Sequence, residues 1–130
     1  MIIDVISDIH GHYPELEGGD LLIVAGDLTA NDWTSATLEF LSWFQWQKYK
    51  KKIFIAGNHD NWLTDVIYCK FEEMGFTYLC DSGTEFEGLK IWGSPRTLTF
   101  PGMNPKCKAF TCDTEEELAE KWALIPDDTD

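Results

Sequence analysis

The sequence predicts an α/β domain built on a parallel sheet, and three observations predict it. The runs "IIDVIS" (2–7), "LLIVAG" (21–26) and "KIFIAG" (52–57) are short, β-branched and closed by polar or glycine residues, as buried strands are. An amphipathic stretch lies between the second and third runs, and a helix joining two strands marks a parallel βαβ crossover. A chain of 130 residues, 44% hydrophobic and 14% aromatic, has enough apolar surface for one core, so residues 1–130 are read as one domain.

The helix is expected over residues 33–48, with Leu38, Leu41 and Phe44 on its apolar side and Trp43 and Trp46 alongside. Asn31, Asp32 and Thr34 are its candidate caps. The basic run "KYKKK" (48–52) falls near its C-terminal end, where lysines complement the helix dipole. Trp33, Trp43 and Trp46 read as packing residues in preference to a base-stacking platform. Residues 62–74 carry a weak helical pattern, and "TEFEGLKIWG" (84–93) reads as a hairpin turning at Glu87-Gly88. From Ser94 to Thr114 the pattern gives way to Pro95, Pro101, Gly102 and Pro105, a loop long enough to do or cover something. Helical spacing returns over 115–124, where Thr114 and Glu117 match a capping box.

The formal charge of −13 argues against a nucleic-acid polymer or an anionic membrane as partner, since such binders carry a basic face. A small substrate, or the gathering of cations, fits better. No basic leader opens the chain and its apolar runs are strand-length, far below the ~20 residues of a membrane span, so a cytoplasmic location is expected. Cys69, Cys80, Cys107 and Cys112 form no C-x-x-C pair and read as reduced structural thiols, with a disulfide or zinc clip between Cys107 and Cys112 as the alternative.

The chemistry is concentrated at three strand ends. All three histidines fall in "DIHGH" (8–12) and "GNHDN" (57–61), each directly after a predicted strand, as is Gly26-Asp27. In open α/β sheets ligands gather beyond the carboxyl ends of the strands. The two-residue step from Asp8 to His10 would, in an extended segment, turn both side chains to one side, a mixed oxygen and nitrogen pair suited to Mn²⁺, Fe²⁺ or Zn²⁺. Asp27 offers a carboxylate able to bridge two cations, and Asn58 a neutral amide oxygen. Each has a plainer reading: Asp8 or Asp27 as a helix cap, His12 as a solvated loop residue, Asn58 as a turn former. The conjunction of three strand ends favours metal. A nucleotide-binding βαβ unit is excluded for want of a glycine-rich phosphate loop.

The ordered blocks D-x-H (8–10), G-D (26–27) and G-N-H-D (57–60) resemble the first three signature blocks of the calcineurin-like metallophosphoesterases. Similarity to the small metallophosphoesterase-domain-containing phosphodiesterases continues through "GDLLIVAGDLT", "LKIWGSP" and "WALIP". The resemblance implies a four-layer α/β/β/α sandwich, of which this chain would be the N-terminal portion. It implies two divalent metal ions, Mn²⁺ foremost with Fe or Zn as alternatives, and hydrolysis of a small phosphoester, a diester before a monoester, by a metal-bridging hydroxide. Asp8 and His10 would hold the first ion, Asp27 would bridge, and Asn58 would hold the second. His59 and Asp60 would be catalytic, His59 facing the phosphoryl group and Asp60 holding its ring, with Gly57 permitting a sharp turn.

The family pattern also carries three further histidines that this chain lacks, so the expectation is a domain truncated before its C-terminal histidine motifs. Its alternative function is a catalytically incomplete interaction or metal-binding module of the same fold. Uncovered sheet surface and free strand edges would favour a homodimer. Arg96, in "GSPRT", is either a phosphate contact or an ordinary surface arginine.

Overall fold

The computed structural model describes residues 1–65 and 70–130. Four parallel strands form the main sheet in the order β1 (Ile3–Ile6), β2 (Gly19–Ala25), β3 (Tyr49–Ile55) and β4 (Thr77–Tyr78). Because all four run the same way, their carboxyl ends lie at one edge of the sheet. Helix α1 (Thr34–Gln45) makes the crossover between β2 and β3, as expected from the sequence. The two-residue strand β4 was not legible in the pattern. The weak helical reading of residues 62–74 resolves into a 3-10 turn at Asn61–Leu63 and a run of turns over 70–75, while residues 66–69, Cys69 among them, lie outside the described residues.

The apolar side suggested by the sequence is borne out in Phe44, which is fully buried, and in Leu41 and Trp43, which pack against the core, but not in Leu38 or Trp46. Ala36, Phe40 and Phe44, spaced four apart, face the sheet, whereas Leu38 is 61% exposed and Trp46 80% exposed. Residues i and i+4 share one face, and Phe40 and Phe44 together present more ring surface than any stripe through Leu38. Their rings meet Phe54 of β3 edge-on, each at 5.6 Å, and Phe44 reaches Phe76 at 4.9 Å. Leu22 and Val24 of β2 complete this side of the core. Of the three tryptophans in and beside this helix, Trp43 packs, stacking on Tyr13 at 5.1 Å, while Trp33 and Trp46 are exposed.

The basic run is mostly strand: Tyr49 to Lys52 open β3. Lys52 still reaches the helix end, its Nζ donating to the carbonyls of Phe44, Gln45 and Gln47. Burial lowers the pKa of this ammonium. The helix itself has no side-chain cap; Asn31 accepts from the N–H of Trp33 ahead of it, and Asp32 turns away to accept from Trp62 and Asn61.

On the opposite face Leu21, Ile53 and Leu79 are buried beneath Phe86 and Ile91 of a hairpin, β5 (Ser82–Phe86) and β6 (Leu89–Gly93). It turns at Glu87-Gly88 as predicted, with φ of 48° and 86°, the pair of positive values that a two-residue hairpin turn requires. The long loop is ordered around two short parallel strands, β7 (Thr97–Leu98) and β8 (Thr111–Cys112), and a 3-10 turn at Pro105–Cys107. Helix α2 (Glu115–Trp122) follows, capped by Thr114, whose side chain accepts from Glu117 N–H. The reciprocal bond from Glu117 goes to Asp113 N–H and not to the cap residue.

The hairpin leaves the β1 side of this face uncovered, with Ile3 41% and Val5 63% exposed. Cys80, Cys107 and Cys112 are free thiols, as read from the sequence. No described helix is long and apolar enough to cross a membrane.

Phe44 is fully buried among four other aromatic rings, so Phe44→Ala is expected to cost about 3–5 kcal/mol by urea denaturation. A loss below about 1 kcal/mol would show that this ring cluster is not the core of the domain.

Candidate metal centre

The candidate ligands stand on strained backbone. Asp8, His10 and Asp27 have φ of 54°, 43° and 54°, in the left-handed region that residues with a side chain seldom adopt. Asp8 and His10 therefore do not converge by strand alternation, as an extended segment would have it, but through a left-handed turn beyond β1. That turn is bonded to the turn beyond β2: Asp8 N–H donates to Gly26 O at 3.0 Å, His10 N–H to Asp27 O at 2.9 Å and Gly11 N–H to Leu28 O at 3.2 Å. Neither aspartate caps a helix, since α1 begins only at Thr34.

The result is a compact donor set. One ligand atom each from Asp8, His10 and Asp27 lies within 4.8 Å of the others, and His10 Nε2 is 3.6 Å from Asp27 Oδ2. Two carboxylates and an imidazole at that spacing suit a divalent ion of borderline softness. Asp27 is buried, Asp8 exposed and His10 between them, so the set opens to solvent on one side. His12 is exposed and outside this group, in keeping with its reading as a solvated residue.

The third strand end joins through Asp27. Its Oδ1 accepts from the backbone N–H of His59 at 3.1 Å. The glycine of this block answers a need for space and not for a turn: its φ is not positive, but a Cβ at Gly57 would lie 2.0 Å from Asp27 Oδ1 and 2.4 Å from Asp27 N. Asn58 lines a cleft of about 270 Å³ together with Asp8, Asp27 and Gly57, and its Nδ2 donates to Cys107 O at 2.9 Å. The His59 ring meets the His10 ring edge-on at 5.0 Å.

Asp60 has a different task from the one inferred by resemblance. It is fully buried, and its two oxygens accept from the backbone N–H groups of Leu28 at 2.9 Å and Gly57 at 2.7 Å. It does not hold the His59 ring. A carboxylate already engaged by two amides in the interior is turned away from an exposed imidazole. The neighbour of His59 Nδ1 is instead Cys107 Sγ, at 3.3 Å. Burial pushes the Asp60 pKa up, the backbone amides of Gly57, Leu28 and Asp27 oppose this, and the Asp27 carboxylate adds to it.

Ser94 to Thr97 form the facing wall of the cleft. Arg96 lies there, paired with a carboxylate and only partly exposed. Its Nε and one terminal nitrogen each stand 2.8 Å from Asp81 Oδ2, and its guanidinium lies 5.6 Å from the Phe110 ring centre.

A family model described as calcineurin-like phosphoesterase matches residues 1–127. The chain belongs to the calcineurin-like phosphoesterase family. It is 30% identical over 151 aligned positions to human metallophosphoesterase domain-containing protein 1, covering 96% of this chain and 45% of the relative. A UPF0046 protein of Caenorhabditis elegans is 28% identical, with 96% and 48% covered. A protein of Emericella nidulans named probable rhamnogalacturonate lyase C is 30% identical, but only 12% of its length is matched. The chain thus spans under half the length of the human and worm relatives. Its parallel sheet and few helices are consistent with the N-terminal part of the calcineurin-like phosphoesterase fold.

Close approach of Gly57 to Asp27 is the tightest contact in this calcineurin-like site. Gly57→Ala is expected to destabilise the protein by about 3 kcal/mol in urea unfolding, since both clashing groups are fixed by other bonds. A shift under about 1 kcal/mol would mean that the two strand ends stand further apart than described.

Proposed function

We propose that this chain carries metal-dependent hydrolysis of small phosphodiesters, with Asp8 and His10 on one divalent ion, Asp27 shared with a second, and Asn58 on that second ion. The observation that supports this most directly is the meeting of Asp8, His10 and Asp27 within 4.8 Å at adjacent parallel strand ends, in a chain of the calcineurin-like phosphoesterase family. When bound, a pair of ions such as Mn²⁺ supplies a nucleophile at neutral pH and neutralises phosphoryl charge.

The residues have separable tasks. Asp27, buried and already accepting from His59 N–H, keeps Oδ2 on the His10 side, which suits a shared ligand. Asn58 gives its NH₂ to Cys107 O, which leaves Oδ1 as the free end of the amide. His59, exposed beside His10, is placed to face a phosphoryl group, and Asp60 acts as a positioning residue through the backbone of Leu28 and Gly57. A preference for diesters fits the charge of −13, which repels a dianionic monoester more than a monoanionic diester.

Self-association belongs to the same proposal. Among the described residues β1 pairs only with β2, and its exposed Ile3 and Val5 border an open strand edge, a surface that a second copy could extend. Light scattering at micromolar concentration is expected to return a dimer, and a clean monomer would count against it.

The catalytic reading is tested with bis(p-nitrophenyl) phosphate, with and without Mn²⁺. Loss of a carboxylate behind a ligand costs roughly 10–100-fold, so loss of a shared ligand in Asp27→Asn should exceed 100-fold in turnover and weaken Mn²⁺ binding in parallel by calorimetry. Turnover of p-nitrophenyl phosphate should be slower than that of the diester. Folded wild-type protein that binds Mn²⁺ without turning over either substrate would instead support a metal-binding module of the same fold.

A further inference from the structure

The turn at 104–109 lies far in sequence from the "GNHDN" block and yet is bonded to it at four points. Cys107 O accepts from Asn58 Nδ2 at 2.9 Å, and Lys106 O accepts from Asn61 Nδ2 at 2.7 Å. Ala109 N–H donates to Asn58 O at 3.1 Å, and Cys107 Sγ lies 3.3 Å from His59 Nδ1. The turn is preformed: Pro105 opens it, the Asn104 side chain accepts from Lys106 N–H at 3.0 Å, and Cys107 N–H donates to Asn104 O at 2.9 Å. It is therefore a rigid strap laid across the loop that carries Asn58 and His59.

His59 needs such a support. Its side chain is exposed, and an imidazole on an exposed loop turns freely about χ2 unless a ring nitrogen is held. The carboxylates nearest in sequence and space are otherwise engaged. Asp60 accepts from two backbone amides, and Asp27 accepts from the His59 backbone and not from its ring. Among the described residues, Cys107 Sγ is the hydrogen-bond partner of the ring, 3.3 Å from Nδ1.

We propose that Cys107 is the positioning residue of this site: its thiol donates to His59 Nδ1 and so fixes both the ring and the proton on Nε2, while its carbonyl turns the Asn58 amide so that Oδ1 faces the cleft. A neutral imidazole that accepts at one nitrogen carries its proton on the other, which here is the nitrogen remote from the strap. This rests on the phosphoesterase reading only for its consequence in turnover. The orientation of the ring is a property of the metal-free protein.

The experiment has two arms on the same three proteins, wild type, Cys107→Ser and Cys107→Ala. The first follows the ¹⁵N shifts of the His59 ring in metal-free protein at about pH 7.5, a unit above the ordinary histidine pKa. Wild type and Cys107→Ser, whose hydroxyl can donate in place of the thiol, should show an unprotonated Nδ1 and a protonated Nε2. Cys107→Ala should show averaged shifts for His59 while the His12 ring stays unchanged. The second arm measures hydrolysis of bis(p-nitrophenyl) phosphate at saturating Mn²⁺. There Cys107→Ala should lower kcat about tenfold with KM within about twofold, and Cys107→Ser should recover most of it.

A protonated Nδ1 in the wild type, or His59 shifts that Cys107→Ala leaves untouched, would overturn the proposal, as would an unchanged kcat in that variant. If wild type shows no turnover, the phosphoesterase reading falls, and the ring shifts alone decide whether Cys107 holds His59.

Discussion

The site depends on the burial of one carboxylate. Asp60 is wholly removed from solvent, and both of its oxygens are met by backbone amides, one from the segment after β2 and one from the end of β3. An unpaired charge in that position would be costly, so the two amides must stay where they are, and with them the ends of the two strands. Gly57 is thereby pressed against Asp27 at a distance only a glycine allows. Asp27 in turn accepts from His59 N–H. One buried acid therefore sets the spacing of two strand ends, and the ligand set takes its geometry from that spacing.

The first strand end is held by the same frame at one remove. Three backbone bonds tie the turn at Asp8 to Gly11 onto residues 26–28, and those bonds hold Asp8 and His10 in left-handed conformations alongside Asp27. Such conformations cost on the order of 1–3 kcal/mol each, less for aspartate, and persist only where the surroundings determine them. Here the surroundings are a parallel sheet whose strands are rigidly paired and whose helix face is packed with phenylalanine. The stability of the ring cluster beneath the sheet offsets strain at its carboxyl end. This links Phe40 and Phe44 to the site although they touch none of its ligands.

The sequence makes some of this legible and hides the rest for identifiable reasons. The strand ends and their donors are local features: a β-branched run followed within a few residues by Asp, His or Asn is visible in any short window, and Asp8, His10, Asp27 and Asn58 all fall at the ends where they were expected. The helix position is legible too, with Leu41, Trp43 and Phe44 of its packed side, but the choice of Phe40 over Leu38 is not, because both are apolar and only the sheet decides between them. What sequence cannot display is partnership at long range. Asp60 bonds a residue 32 positions away, and Cys107 meets a ring 48 positions away, so neither pairing leaves a periodic trace. The nearest available explanation, that a carboxylate next to a histidine holds it, fails because the interior claims Asp60 first.

The same competition explains Arg96. The guanidinium stands on the wall of a cleft lined by Asp8, Asp27 and Asn58, but Asp81 engages it through two nitrogens and Phe110 lies against it. Its charge is thus balanced by Asp81, and the pair ties the wall carrying Ser94 to Thr97, across the cleft from Asp8, Asp27 and Asn58, to Asp81. With the arginine neutralised in this way, the polar side chains that Asp8, Asp27 and Asn58 bring to the cleft are carboxylate and amide, with the His10 imidazole beside Asp27. Such a surface repels a bare phosphoester and attracts a cation. In the proposed hydrolysis cation binding would then come first, and an anionic substrate would be recognised by the loaded site.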